Sequence, residues 1–199
     1  MDTIELQGQI HKIYKGERNT IITLFVSSIR NNFPQVIFMK NERDKISSFI
    51  EGDYVHIDGC IKTRSIKESN GTQSHCQFIR GMEISKVNVV NNDELYREEG
   101  EKKEIEYINS VLLNGEIVSS TLGHNLINIL VRPDGEKFNI NITKYTNEPK
   151  KALEQCQVGY RISAQCEIQT VRKIIKGEMK FFENIIVKQL NTRMLSISE

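Results

Sequence analysis

Apolar and polar residues alternate from the start of the chain: Ile4, Leu6, Gly8 and Ile10 against Glu5, Gln7, Gln9 and His11. A period of two places one set on a buried face and the other in solvent, which predicts a half-buried strand. A polar turn, Lys15–Asn19, follows, and the pattern resumes from Thr20 to Ser27 with Ile22, Leu24 and Val26 on one face, so the two stretches pair as a hairpin. Val36–Lys40 predicts a third strand, apolar on both faces. Ile46, Phe49 and Ile50 then recur at helical spacing, predicting a short helix over Asn41–Ile50 that Gly52 ends. Gly52 opens a fourth strand to about Thr63. A polar loop, Arg64–Ser74, leads to a fifth over His75–Val87.

The whole pattern occurs twice. At an offset of 107, Gly52 falls on Gly159, Val55 on Ile162, Ile57 on Ala164 and Ile61 on Ile168; Leu6-Gln7-Gly8-Gln9-Ile10 falls on Leu113-Asn114-Gly115-Glu116-Ile117. The second copy predicts strands over Leu113–Ser119, Asn125–Val131 and Phe138–Thr143, with a turn at Pro133–Gly135. A helix follows over Glu148–Cys156, with Pro149 at its first turn. A strand opened by Gly159, a loop at Lys173–Gly177 and a last strand over Glu178–Leu190 complete the copy. Strand, strand, strand, helix, strand, strand is the order of the OB-fold, a five-stranded Greek-key barrel. The fold class expected is all-β with short helices, two tandem OB barrels. The domains expected are 1–88 and 111–190, an acidic linker over 89–110 and a flexible tail over 191–199.

Charge changes the picture only when divided along the chain. The formal net charge is +1, but residues 88–110 hold seven acids against three bases, a balance of −4. Residues 1–87 (12 bases, 10 acids) stand at +2 and residues 111–190 (11 bases, 8 acids) at +3. Two mildly basic units joined by an acidic connector suit an anionic partner. The connector has no sustained apolar face and is expected to be a solvated tether.

Cys60, Cys76, Cys156 and Cys166 form no C-x-x-C pair, so buried structural thiols are expected, with no metal site and no cofactor. No P-loop, nucleophile elbow or paired-histidine cluster is present, and His11, His56, His75 and His124 fall on different elements of the two copies, so no catalysis is expected. Met1-Asp2-Thr3-Ile4-Glu5 has neither basic flank nor apolar core, and no apolar run nears the ~20 residues of a membrane helix. A cytoplasmic protein with no membrane partner is the expectation.

OB barrels commonly take oligonucleotides on the outer face of strands two and three, beside the loops joining strands one to two and four to five. A single strand needs outward aromatics for base stacking and cations for its phosphates. With Ile22, Leu24 and Val26 inward, Phe25 faces out. On the third strand the registers tie: either Val36 and Phe38, or Ile37 and Met39, face outward. In the second copy Asn139, Asn141 and Thr143 are outward, Phe138 inward and Tyr145 just past the strand, a weaker stacking surface. Candidate cations are Lys12, Lys15 and Arg18 with Tyr14 on the first hairpin, and Lys40 and Lys144 beside the third strands. Lys62, Arg64, Lys67 and His75 lie in the first four-to-five region, with Arg80 a further candidate on the fifth strand, and Arg172, Lys173, Lys176 and Lys180 in the second.

Leu6-Gln7-Gly8-Gln9-Ile10, Gly52-Asp53-Tyr54-Val55-His56-Ile57-Asp58-Gly59 and the loop around Gly71 resemble bacterial-type single-stranded-DNA-binding proteins, including those of plasmids, phages and integrated elements. The resemblance spans nearly the whole chain as two copies. It implies a stacking role for Phe25, Phe38 and Phe78. The chain departs from that family in having no tryptophan and in ending Leu195-Ser196-Ile197-Ser198-Glu199 without an acidic, aromatic tip, so recruitment of replication enzymes through a tail is not expected. The function expected is single-stranded DNA binding with little sequence preference in replication, repair or transfer. The alternatives are an OB-fold interaction subunit of a replication or transfer complex, and a single-stranded RNA binder. Expected partners are single-stranded DNA (or RNA), replication or transfer proteins, and further copies of the chain. Two barrels in one chain lessen the need for a tetramer.

Overall fold

The computed structural model describes residues 2–26, 32–67, 73–87, 106–175 and 178–194. In order they form β1 (Asp2–Lys15), β2 (Asn19–Phe25), β3 (Gln35–Met39), helix α1 (Arg43–Ile46), β4 (Tyr54–Lys67) and β5 (Gln73–Lys86). The second set comprises β6 (Ile108–Leu122), β7 (Leu126–Pro133), β8 (Ile140–Tyr145), helix α2 (Pro149–Gln155), β9 (Arg161–Ile175) and β10 (Glu178–Arg193). β1 pairs with both β2 and β4, β2 with β3, and β3 with β5 in parallel, which closes the barrel; β6–β10 repeat each pairing. This is the OB topology, twice. No helix among the described residues is long and apolar enough to cross a membrane.

Alternation becomes burial directly. Ile4, Leu6 and Ile10, Ile22 and Leu24, Val55, Ile57 and Ile61 fill the first core, and Val111, Leu113 and Ile117, Ile127, Ile129 and Val131, Ile162 and Ile168 fill the second. Each such side chain contributes roughly 1.5–3 kcal/mol on leaving water. Strain is met by glycine at matching places. Gly52 (φ +97°) and Gly159 (φ +85°) make the left-handed turns into β4 and β9. Both turns are pinned to the first strand: Gly52 N–H donates to Ile10 C=O at 2.8 Å, and Gly159 N–H to Ile117 C=O at 2.9 Å. A Cβ on Gly8 would lie 2.1 Å from Phe25 O, and one on Gly115 2.3 Å from Arg132 O, so strands one and two approach where no side chain fits. A bulge at His11, and its counterpart at Val118, follows each close approach.

The barrel floors differ. Between β3 and β4 the predicted helix is reduced to a 3₁₀ turn, Lys40–Glu42, and the single turn α1. Ile46 and Phe49 plug the barrel as their spacing predicts, but Ile50 is 66% exposed. α2 forms where expected, with Pro149 at its start and Ala152 buried. The strands also run past their predicted ends: β4 continues through Arg64 to Lys67 and β5 starts at Gln73, so the described residues of the expected four-to-five loop are paired strand.

The barrels join through their first strands. β1 and β6 run antiparallel with Ile4 opposite Val111, Asp2 opposite Leu113 and Leu6 opposite Asn109. Because Val111 lies 107 residues after Ile4, a local two-fold axis passes between them, and the contact is self-complementary as in a symmetric dimer. β6 begins at Ile108, so the last residues of the expected tether are strand. Asp2 Oδ2 accepts from the Ile61 N–H at 2.5 Å, and Asn109 Oδ1 from the Ile168 N–H at 2.9 Å. Further out, Gln35 N–H donates to Glu183 Oε1 at 3.0 Å and Asn141 N–H to Gln77 Oε1 at 3.1 Å. Gln77 and Glu183 are counterparts, as are Gln35 and Asn141, by the strand registers.

Candidate nucleic-acid interface

The outer face of β2 and β3 follows from register. Ile22, Leu24, Val36 and Phe38 point into the core, so Ile21, Thr23, Phe25, Gln35, Ile37 and Met39 point out. Tyr14 pairs with Ile21, Ile21 with Ile37 and Ile37 with Arg80, a single row crossing four strands. Tyr14 is 60% exposed and Met39 41%; Ile21 and Ile37 are half-buried. Lys12, Lys15, Arg18 and Lys40 surround this row, all exposed, and among the described residues none of them meets a carboxylate within ion-pair distance. The result is an apolar strip with exposed cations at its margins, in which Tyr14 offers an aromatic ring for a base and the cations suit a phosphate backbone.

Other candidates are placed differently. Phe38 is fully buried, which resolves the tied register: it is core and cannot stack. It lies over Gly81, where a Cβ would meet its Cζ at 2.3 Å. Phe25 faces out but is covered. Its ring packs against Phe33 (5.5 Å) and edge-on against Tyr107 (5.6 Å) at the end of the connector. Tyr107 also bonds Tyr54, whose hydroxyl pKa is pushed up by burial and then by that bond. Gln7 Nε2 donates to the Glu106 carbonyl at 2.7 Å, holding this end of the connector down.

Lys62 leaves the surface set: it bridges to Glu136 of the second unit at 2.9 Å and stands 5.0 Å from the Phe138 ring. Arg80 ends the outward row but is paired to Glu42 at 3.0 Å. Arg64 is exposed, donates to Cys76 Sγ at 3.2 Å and lies 5.9 Å from the half-buried Phe78 ring. Lys144 takes the register position of Phe38 and points toward the barrel floor, where its charge partly offsets the burial that pushes up the Cys156 thiol. The side chains of Lys67, Arg172, Lys173 and Lys180, and Lys176 as a whole, lie outside the described residues.

In the second unit Asn141 and Thr143 point out as predicted, and Thr143 Oγ1 bonds Asn128 Oδ1 at 2.9 Å across the face. Tyr145 is 57% exposed opposite Leu126. Sequence reasoning held Ile37 and Met39 as the outward pair in one of two tied registers, and missed Ile21 beside them. The signal was there: Ile21, Ile37 and Met39 are apolar at outward positions beside Tyr14, although Thr23 and Gln35 on the same face are polar. Among the described residues no group of three or more His, Cys, Asp or Glu side chains could hold a metal ion.

No protein-family model matches the chain, and no curated protein matches it in sequence. Among solved structures, the wild-type single-stranded DNA binding protein from Thermus aquaticus is similar with a TM-score of 0.67 at 10% identity, over 100% of this chain and 96% of that one. A deletion variant of the same protein gives 0.65 at 11%, over 100% and 98%. The likeness is one of fold, and it extends across both barrels.

Proposed function

We propose that this protein binds single-stranded DNA with little sequence preference, in replication, repair or transfer, as a binder and not as a catalyst. The observation that carries the reading is the outward row Tyr14, Ile21 and Ile37, flanked by Met39 and by four cations that meet no carboxylate among the described residues. Each stacked base contributes about 1–3 kcal/mol, and every base offers a π-face, so such a surface discriminates strand from duplex without reading sequence. The fold shared with the Thermus protein supports the same ligand class.

The test is a fluorescence-anisotropy titration of labelled oligo-dT, about 30 nucleotides long, at low and near-physiological salt, with duplex DNA and oligo-U as competitors. Binding that weakens with salt and resists duplex is the expected result. Competition by oligo-U as strong as by unlabelled oligo-dT would move the reading to RNA. No binding at low salt would sink it and leave the strip as a protein-interaction surface.

A further inference from the structure

We propose that the chain carries one base-stacking surface, on the first unit, and that the second unit is its scaffold; this rests on the single-strand reading above. Matching the two faces by strand register compares them position by position. Tyr14 corresponds to Thr121, Ile21 to Asn128 and Ile37 to Thr143, so the apolar row of the first face is a hydroxyl and amide row in the second. The Thr143 hydroxyl moreover donates to Asn128 Oδ1 at 2.9 Å, a bond that a base stacking there would gain nothing by breaking. The cations disappear in step: Lys12 corresponds to Ser119, Lys15 to Leu122, Arg18 to Asn125 and Lys40 to Thr146. What remains on the second face is Tyr145 at the position of Met39, Arg132 at that of Phe25, Leu130 at that of Thr23 and Leu122, half exposed, at that of Lys15; apart from Tyr145 none carries an aromatic ring. The two faces share a backbone, so the loss is one of side chains alone and not of fold.

The consequence is a small site and a fixed stoichiometry. One OB barrel occupies about 4–16 nucleotides, so a short oligo-dT should saturate the chain. The experiment titrates the full chain with oligo-dT of 8, 12, 16, 24 and 32 nucleotides and compares Tyr14→Ala, Met39→Ala and Tyr145→Ala, each checked by its thermal midpoint. The expected result is one short oligonucleotide bound per chain, affinity that levels off by about 16 nucleotides, a loss of roughly tenfold for Tyr14→Ala and less than about twofold for Tyr145→Ala. Two short oligonucleotides per chain, or equal losses for Tyr14→Ala and Tyr145→Ala, overturns the inference while leaving single-strand binding intact. A wild-type chain that binds no oligonucleotide overturns both.

Discussion

Asp2 and Asn109, 107 residues apart, perform one task in two barrels: each side chain crosses from the first strand to accept the backbone N–H of an isoleucine on the fourth, Ile61 or Ile168. Asp2 is 3% exposed. Asp2→Ala leaves the Ile61 N–H buried without an acceptor, and should cost about 1–3 kcal/mol in denaturant unfolding. Asp2→Asn should cost less than about 1 kcal/mol, since the second barrel already works with the amide. Equal losses for the two would show that charge, and not the accepted bond, is what matters.

Glu183 should make stability depend on pH. Burial raises its carboxyl from the ordinary 4.5 to about 7, against the bonds from Gln35 N–H and the Thr170 hydroxyl. The folded protein therefore holds this proton more tightly than the unfolded chain. The stabilisation is fully present below pH 4.5 and is lost as pH rises to about 7, by up to about 3 kcal/mol. Asp53, held low by the Ile50 N–H, and Asp134, held low by Arg161, act in the opposite sense below their ordinary 3.8, outside that window. Glu183→Gln, which copies its counterpart Gln77, should flatten the slope between pH 4.5 and 7. An unchanged slope in the variant would remove Glu183 as its source.

Gly81→Ala should be destabilising by roughly 1–3 kcal/mol, because the added carbon would lie 2.3 Å from the Phe38 ring. Adding Phe38→Leu should recover part of the loss. The second barrel shows the logic: Val187 stands where Gly81 does, and Lys144 where Phe38 does. Oligonucleotide affinity per folded molecule should not change in either variant.

Phe25→Ala should lower the thermal midpoint clearly, since it removes the ring that Phe33 and Tyr107 pack against. Its effect on oligonucleotide affinity should be smaller than that of Tyr14→Ala. The reverse order would mean that Tyr107 yields its place to a base.

The cations divide into two groups by their partners. Lys12→Ala and Lys15→Ala should each lower the slope of log affinity against log salt by about 0.7, the value for one phosphate contact on a single strand. Lys62→Ala should leave that slope alone and weaken the bridge to Glu136 instead, which a unit-by-unit unfolding measurement reads.

Strand content and the doubled barrel were legible because alternation and burial are the same fact seen twice: Ile4, Leu6 and Ile10 are inward by pattern and by structure. Phe38 was ambiguous because Val36–Met39 is apolar on both faces, one filling the core and the other forming the surface. Lys62 and Arg80 looked like surface charge because a sequence counts ions without showing their partners, here Glu136 and Glu42. The union of β1 with β6 left no separate trace, since the residues that make it already alternate for their own barrels and its bonds are between backbones. Gln77 and Glu183 belong to no motif in the sequence; the packing of one barrel on the other gives them a role.

Joining the first strands around Ile4 and Val111 within a single polypeptide has a further effect. A symmetric pair of separate subunits must repeat any substitution on both sides of its axis, and it falls apart on dilution. Here dilution has no hold on the joint, and each half is free to vary alone. Glutamine can face glutamate across the axis, and a tyrosine can be kept on one flank while threonine replaces it on the other, without either change being copied to its mate.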